Sequence, residues 1–200
     1  MQNAADITTI TQLIVRERDS RDMGFWDRML DCFHPDALID ISWIRGNPKE
    51  FVEGSKDMAA RGMTATHRLG PILVTQNGDR AVATLVGSID LPTTLEGKQF
   101  RLSAHCQMLY RVEKRSSEWR LSGFTAIYRH DELTPVVLGD VVRMPPELFA
   151  RFRASYRHLA WSQHVLGYQP NMELPGIDRP ETVTAIYQNH YDWLGLPVPN

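Results

Sequence analysis

The stretch Thr75-Gln76-Asn77-Gly78-Asp79-Arg80 predicts the centre of the fold. An Asn-Gly pair between two runs of β-forming residues is a strong hairpin signal, because tight hairpin turns require backbone positions with positive φ. Residues 64–75 before it and 80–91 after it both have the composition of strands. We therefore predict two antiparallel strands that meet at this turn.

Two further strands follow the hairpin toward the C-terminus. Glu96-Gly97-Lys98 predicts a turn before a long strand over residues 99–113. Ser116-Ser117 predicts the next turn, before a last strand over residues 119–129. Together with the hairpin, these elements predict four consecutive antiparallel strands.

Helices precede the hairpin. Ile7, Ile10, Leu13, Ile14 and then Arg18 or Glu17 recur at spacings of three and four, which predicts a helix over residues 6–21 with one apolar stripe. Thr8 or Asp6 is the expected cap of this helix, and Gly24 is expected to end it.

Three more elements lie between Gly24 and the hairpin. We predict a second helix over residues 25–33 and a strand over residues 37–44. Asn47-Pro48 then has the pattern of a helix start, with asparagine as N-cap and proline at the first helical position, and Gly62 is expected to close this third helix.

Beyond residue 133 the pattern changes to helices and proline-rich loops. A helix is predicted over residues 147–166, and Pro180 is expected to open a last one. We divide the chain into a domain at 1–133 and a helical C-terminal extension at 134–200, which could serve as a lid, a dimer contact or a packing arm.

The composition excludes several classes of protein. The 200 residues are 42% hydrophobic and 23% charged, with a formal net charge of −2 and no basic run, so we expect no nucleic-acid partner and no membrane partner. The first residues lack the pattern of a signal peptide, and no apolar stretch is long enough to span a membrane. With only two cysteines in no metal or redox spacing, we expect a cytoplasmic protein.

Three short motifs carry a resemblance to a known family. They are residues 18–26, with an aspartate, a glycine and aromatic side chains; residues 64–70, where a histidine enters a strand; and residues 127–130 at the end of the last strand. Residues 5–133 resemble the SnoaL-like branch of the nuclear-transport-factor-2-like superfamily, which includes scytalone dehydratase, bile-acid 7α-dehydratase and hexachlorocyclohexane dehydrochlorinase. The resemblance implies an α+β, cone-shaped barrel of three helices against a curved antiparallel sheet.

The resemblance also implies an Asp–His pair at Asp19 and His67. Their separation (67 − 19 = 48) is the spacing expected for the catalytic pair of this branch. An imidazole titrates near neutral pH and can take and return a proton, and a carboxylate on its second nitrogen fixes the tautomer. Relatives keep a tyrosine or lysine one turn before the aspartate, where this chain has Ile14.

Four other residues are candidates to bind the substrate. Asp90 resembles, by its place, a strand aspartate of the bile-acid enzyme, or else is a residue of the turn before Pro92. His105 faces outward, toward a dimer interface, if the strand is regular, and enters the pocket if a bulge shifts it. Tyr128 and Trp43 could line the pocket, and Tyr128, Asp90 or His105 could supply the donor absent at Ile14.

The functional hypothesis that follows is a lyase or isomerase without cofactor or metal. It would act on a small, largely apolar or aromatic cyclic molecule, with the Asp–His dyad as general base, and would form a homodimer or homotrimer. The alternatives are a non-catalytic small subunit of a ring-hydroxylating dioxygenase, which shares the cone, and a binding protein for a small ligand.

Overall fold

The computed structural model describes residues 3–199. These residues form six α-helices and seven strands: α1 Ala4–Met23, α2 Trp26–Leu30, β1 Phe33–Ile41, β2 Ile44–Gly46, α3 Pro48–Ala60, β3 Thr66–Leu69, β4 Leu73–Asn77, β5 Arg80–Leu95, β6 Lys98–Arg115, β7 Glu118–Pro135, α4 Pro146–Arg151, α5 Arg157–Val165 and α6 Pro180–Leu194.

The seven strands form one curved sheet that does not close on itself. Its order is β2-β1-β7-β6-β5-β3, with β4 also paired to β5. Neighbouring strands are antiparallel except β1 and β7, which run parallel. The α+β class with helices against a curved sheet is confirmed.

The three turns predicted between the last strands are present. Glu96 and Gly97 have φ values of 51° and 75°, and Ser116 and Ser117 have values of 50° and 68°. At the first turn Asn77 pairs with Arg80, so the turn lies one residue later than the Asn-Gly dipeptide suggests. Its first central position is Gly78, whose φ of 59° glycine adopts without strain.

The first two helices differ from the prediction in two details. The cap of α1 is Asn3, which accepts a hydrogen bond from the Ala5 amide, and not Thr8 or Asp6. The second helix is shorter than predicted, because Phe33 already pairs with Leu121 as the start of β1.

The strand predicted over residues 64–75 is two strands, β3 and β4. The break lies at Gly70-Pro71. The Gly70 amide donates to the Val86 carbonyl, and a Cβ on Gly70 would lie 2.7 Å from that oxygen. Pro71 then has no amide hydrogen for the ladder.

The predicted helix over residues 147–166 is also interrupted. It consists of α4, a 3-10 turn at Ala154–Tyr156 and α5. Arg153 at the break is extended, and its guanidinium binds the Asp178 carboxylate and the Leu174 carbonyl. This tertiary contact outweighs the local helical pattern.

The extension packs against the same core as the sheet. Phe152, Tyr156 and Leu159 belong to the main cluster of buried residues. The backbone of Tyr128 accepts a hydrogen bond from the Ile177 amide and donates one to the Pro175 carbonyl, which ties the extension to β7. Within residues 3–199, no helix has the length and apolar character that crossing a membrane requires.

The N-terminus of α3 offers a stability test. Asn47 and Glu50 form a reciprocal capping box, with hydrogen bonds of 3.1 Å and 2.8 Å. We expect Asn47→Ala to lower the free energy of unfolding by about 1 kcal/mol in urea titrations, because it leaves the Glu50 amide without its acceptor. The exposed neighbour Lys49→Ala is the control, and an equal loss in both variants would contradict the assignment of the cap.

Candidate active site

The site begins on the buried face of α1. Residues on a helix advance by about 100° each, so the apolar stripe at Ile10 and Ile14 continues through Glu17, Arg18 and Arg21. All three of these charged residues are buried. Charged groups are rarely buried without partners, so the contacts around them are informative.

His67, at the start of β3, lies against the last turn of α1. Its Nδ1 is 2.6 Å from Oδ1 of Asp22, and its backbone amide donates to Oδ2 of the same carboxylate at 2.7 Å. The His67 side chain is only 4% exposed. One carboxylate therefore fixes both the backbone and the ring of His67.

The prediction that the carboxylate of Asp19 pairs with His67 is wrong, because Asp22 forms this pair. Asp19 is half-exposed and forms a surface ion pair with Arg28 at 2.8 Å. Nine residues at about 100° each place it roughly opposite Ile10 on the helix. Asp19 therefore points to solvent, and Asp22 takes the position that was predicted for it.

Arg18 lies on the other side of the His67 ring. Its guanidinium forms a buried ion pair with Glu17 and lies 4.8 Å from the centre of the Phe124 ring. Its Nη1 is 3.3 Å from Nε2 of His67. Ile14 lies five residues before Asp19, and the same count back from Asp22 reaches Glu17. The neighbouring Arg18 is the residue that brings a hydrogen-bond donor to the His67 ring.

These contacts fix the protonation pattern of the imidazole. A carboxylate can only accept a hydrogen bond and a guanidinium can only donate one. The Nδ1 of His67 therefore carries the hydrogen, and Nε2 presents its lone pair toward Arg18. The ring is held as one neutral tautomer.

Burial sets the charge of the cluster. It lowers the pKa of His67 to about 4, because burial destabilises the imidazolium by more than the hydrogen bond to Asp22 stabilises it. Burial acts to raise the pKa of Asp22, but the hydrogen bonds from His67 outweigh it and hold that pKa below its usual value. Burial and the nearby Arg18 charge lower the pKa of Arg21 to about 10, so Arg21 remains a cation at neutral pH.

Arg18, Arg21 and His67 open into a cavity of about 270 Å³. Glu17 and Asp22 do not line it and stand behind these three side chains. The rest of the wall is mainly apolar and includes Ile41, Phe51, Met58, Ile89, Leu91, Met108, Phe124 and Ala126. A pocket of this size and lining suits a small, largely apolar ligand.

The C-terminal extension supplies part of the cavity wall. Leu159, Gln163 and Leu166 of the α5 region line it. Arg61, just after α3, donates to the Leu166 carbonyl at 2.9 Å and to the Tyr168 hydroxyl at 3.1 Å. The extension thus covers the cavity and is tied to the rim by side chains.

Trp43 and Tyr128, which were candidates to line the pocket, both line the cavity. Trp43 lies 5.6 Å from the Phe51 ring. The Tyr128 hydroxyl accepts a hydrogen bond from the Ser42 amide at 3.1 Å, and burial raises the pKa of this phenol, so it stays protonated. Their roles toward a ligand remain predictions.

Asp90 and His105 lie outside the cavity lining. Asp90 pairs with Thr66 across the ladder, on the opposite face from His67, and binds Arg68 at 2.7 Å. A register shift does follow His105, but its extra residue, Arg129, lies on β7, and Cys106 rather than His105 lines the cavity. The His105 ring stacks on His130 at 4.4 Å on the outer side.

Sequence reasoning placed Arg18 or Glu17 on the stripe of the first helix, but it gave no role in the site to Glu17, Arg18, Arg21 or Asp22. A signal for them was present, because the apolar stripe of α1 extends through their positions at spacings of three and four. Among residues 3–199, no group of three or more His, Cys, Asp or Glu side chains is arranged to hold a metal ion.

Comparison with known proteins gives one family and several similar structures. The sequence model of the SnoaL-like domain family matches residues 2–125. The PEP2-like protein NECHADRAFT_97050 of Fusarium vanettenii is 25% identical over 207 residues, which cover 96% of this chain and 89% of the relative.

Two solved structures show the shared fold. The hexachlorocyclohexane dehydrochlorinase LinA-type3 of Novosphingobium barchaimii has a TM-score of 0.55 at 14% identity, and the match covers 70% of this chain and 96% of that one. A candidate scytalone dehydratase of Novosphingobium aromaticivorans has a TM-score of 0.53 at 12% identity, and the match covers 69% and 96%. Both likenesses concern the fold.

The depressed pKa of His67 predicts a pH effect on stability. A histidine with a native pKa of about 4 and an unfolded value near 6.5 favours folding above pH 6.5, and this contribution is lost as the pH falls toward 4. Between pH 7 and pH 5, we expect the wild-type protein to lose about 2 kcal/mol more unfolding free energy than His67→Gln in urea titrations.

His190 provides the control for this measurement. Burial also lowers the pKa of His190 to about 4, so His190→Gln should remove a separate part of the same pH dependence. The double variant should then be flatter between pH 7 and pH 5 than either single variant. Equal pH dependence in wild type and His67→Gln would show that the His67 ring is not held neutral.

Proposed function

Because the chain belongs to the SnoaL-like domain family, we propose that it is a cofactor-free lyase or isomerase, with His67 as the general base. Its substrate would be a small, largely apolar cyclic molecule held in the cavity. The observation that carries the proposal is the 2.6 Å contact of His67 Nδ1 with Asp22, which leaves Nε2 as the basic atom at the cavity wall.

His67 would remove a proton from a carbon atom of the substrate through Nε2, after the substrate replaces the contact between that nitrogen and Arg18. A general base must reach the proton and must be unprotonated at the working pH. The lowered pKa of His67 meets the second condition. Asp22 would hold the tautomer and stabilise the imidazolium that forms, as the orienting aspartate of a triad does.

Arg18 would stabilise the negative charge that develops on the substrate as the proton is removed. In an elimination, the bond to a hydroxyl or halide breaks as the proton is removed, and a guanidinium 3.3 Å from Nε2 is placed to hydrogen bond the departing group. In an isomerisation, the imidazolium would return its proton to another carbon while Arg18 binds the intermediate oxygen. Glu17 fixes Arg18 in either case.

The apolar wall would strengthen both interactions. Hydrogen bonds and charges act more strongly where water is excluded. The extension closes part of this wall with Leu159 and Leu166. The similar fold of a hexachlorocyclohexane dehydrochlorinase and of a candidate scytalone dehydratase adds support for elimination chemistry on this scaffold.

Deuterium exchange tests proton transfer without knowledge of the natural substrate. The protein is incubated in D₂O with a panel of cyclic β-hydroxy ketones and conjugated cyclic enones, and mass spectrometry follows deuterium uptake and loss of water. We expect uptake or dehydration of at least one compound by the wild type, and a loss of about 100-fold or more in His67→Gln and Asp22→Asn.

Asp19→Asn is the matched control. It makes the same chemical change three residues away on the same helix, at a surface carboxylate paired with Arg28. We expect near wild-type exchange in this variant. Undiminished exchange in His67→Gln would rule out His67 as the base, and turnover of no compound alongside tight, saturable binding would favour a ligand-binding protein.

A further inference from the structure

Three arginines are buried among residues 3–199: Arg18, Arg21 and Arg153. Arg18 is paired with Glu17, and Arg153 is paired with Asp178 and two backbone carbonyls. Arg21 is the exception. Its one hydrogen-bond contact is from Nη2 to the sulfur of Met58 at 4.0 Å, a weak acceptor.

Burying a guanidinium without an acceptor is unfavourable. Arg21 is 7% exposed, and within the described residues no carboxylate lies within ion-pair distance of it. The nearby carboxylates are already engaged, since Glu17 binds Arg18 and Asp22 binds His67. Hydrogen-bond donors of Arg21 therefore remain free at the cavity that it lines.

From this geometry we infer that Arg21 is the binding site for an anionic oxygen of the ligand, a carboxylate or an ionised phenol. A guanidinium presents several N–H donors in one plane, which suits such a group. The remaining wall is mainly apolar, so the rest of the ligand would be a ring or a small ring system.

The inference deepens the proposed function, because it takes the His67 cavity to be the substrate site. It places the ionised group beside Arg21 and the reacting carbon beside His67. Binding alone can test it, and binding does not require turnover. The charge preference can therefore hold even if His67 is not a base.

Isothermal titration calorimetry with matched probes provides the test. 2-Naphthoate and 2-naphthamide have nearly the same shape and differ in charge, and benzoate and benzamide form a smaller pair. We expect the wild type to bind at least one carboxylate about tenfold or more tightly than its amide, because hydrogen bonds to charged groups are the stronger ones. The absorbance of 4-nitrophenol reports the phenolate form in a parallel titration.

Variants separate Arg21 from general effects of charge. Arg21→Met should abolish the preference and Arg21→Lys should keep part of it, with circular dichroism as the check on folding. Arg16→Met removes the same charge from the exposed side of α1 and should keep the preference. Asp19→Asn, at the surface ion pair with Arg28, should keep it too. The readout is binding and not turnover, which distinguishes this test from that of the base.

The outcomes are decisive in both directions. A preference limited to carboxylates or to the phenolate would support the site and identify its ligand class. Equal affinity of the wild type for charged and neutral probes, binding of none of them, or a preference that persists in Arg21→Met would overturn the inference.

Discussion

The burial of charged side chains on α1 is the constraint on which the rest of the site depends. Glu17, Arg18 and Arg21 lie on the same face as Ile10 and Ile14, so the packing that buries the apolar stripe also buries the charges. Taking charges out of water is costly unless each finds a partner. Much of the surrounding structure supplies such partners.

The partners come in two layers. Glu17 and Asp22 stand behind the cavity wall, and Arg18 and His67 stand in it, so these two cavity-facing side chains are each held by a carboxylate that does not line the cavity. Two acceptor–donor contacts then leave His67 a single tautomer. Such preorganisation suits a proton-transferring group, since its tautomer is fixed before the substrate binds.

Local rules were enough for most of the fold. The turns at Gly97 and Ser117 and the capped start of α3 were predictable, because turn and cap chemistry depends on neighbouring residues. The break at Arg153 was not, because it depends on Asp178, a residue 25 positions away. Residues joined by long-range contacts give no local pattern to read.

In the candidate site, too, long-range contacts were harder to predict than local features. His67 was identified from its place after the third helix, but its partner was misassigned to Asp19 by spacing along the chain. Helical geometry contained the correction, because Asp19 lies roughly opposite the stripe while Arg18 and Arg21 continue it. The free guanidinium of Arg21 could not be foreseen, since it depends on which carboxylates other groups engage.

The central claim concerns one ring, His67, held neutral with its hydrogen on Nδ1 by Asp22. Long-range ¹H–¹⁵N NMR spectra of ¹⁵N-histidine-labelled protein report the tautomer and charge of each imidazole directly. The account predicts that His67 is the neutral Nδ1–H form from pH 8 to pH 5, and that Asp22→Asn alters its ring signals while Asp19→Asn does not. An Nε2–H tautomer, or titration of this ring near pH 6.5, would contradict it.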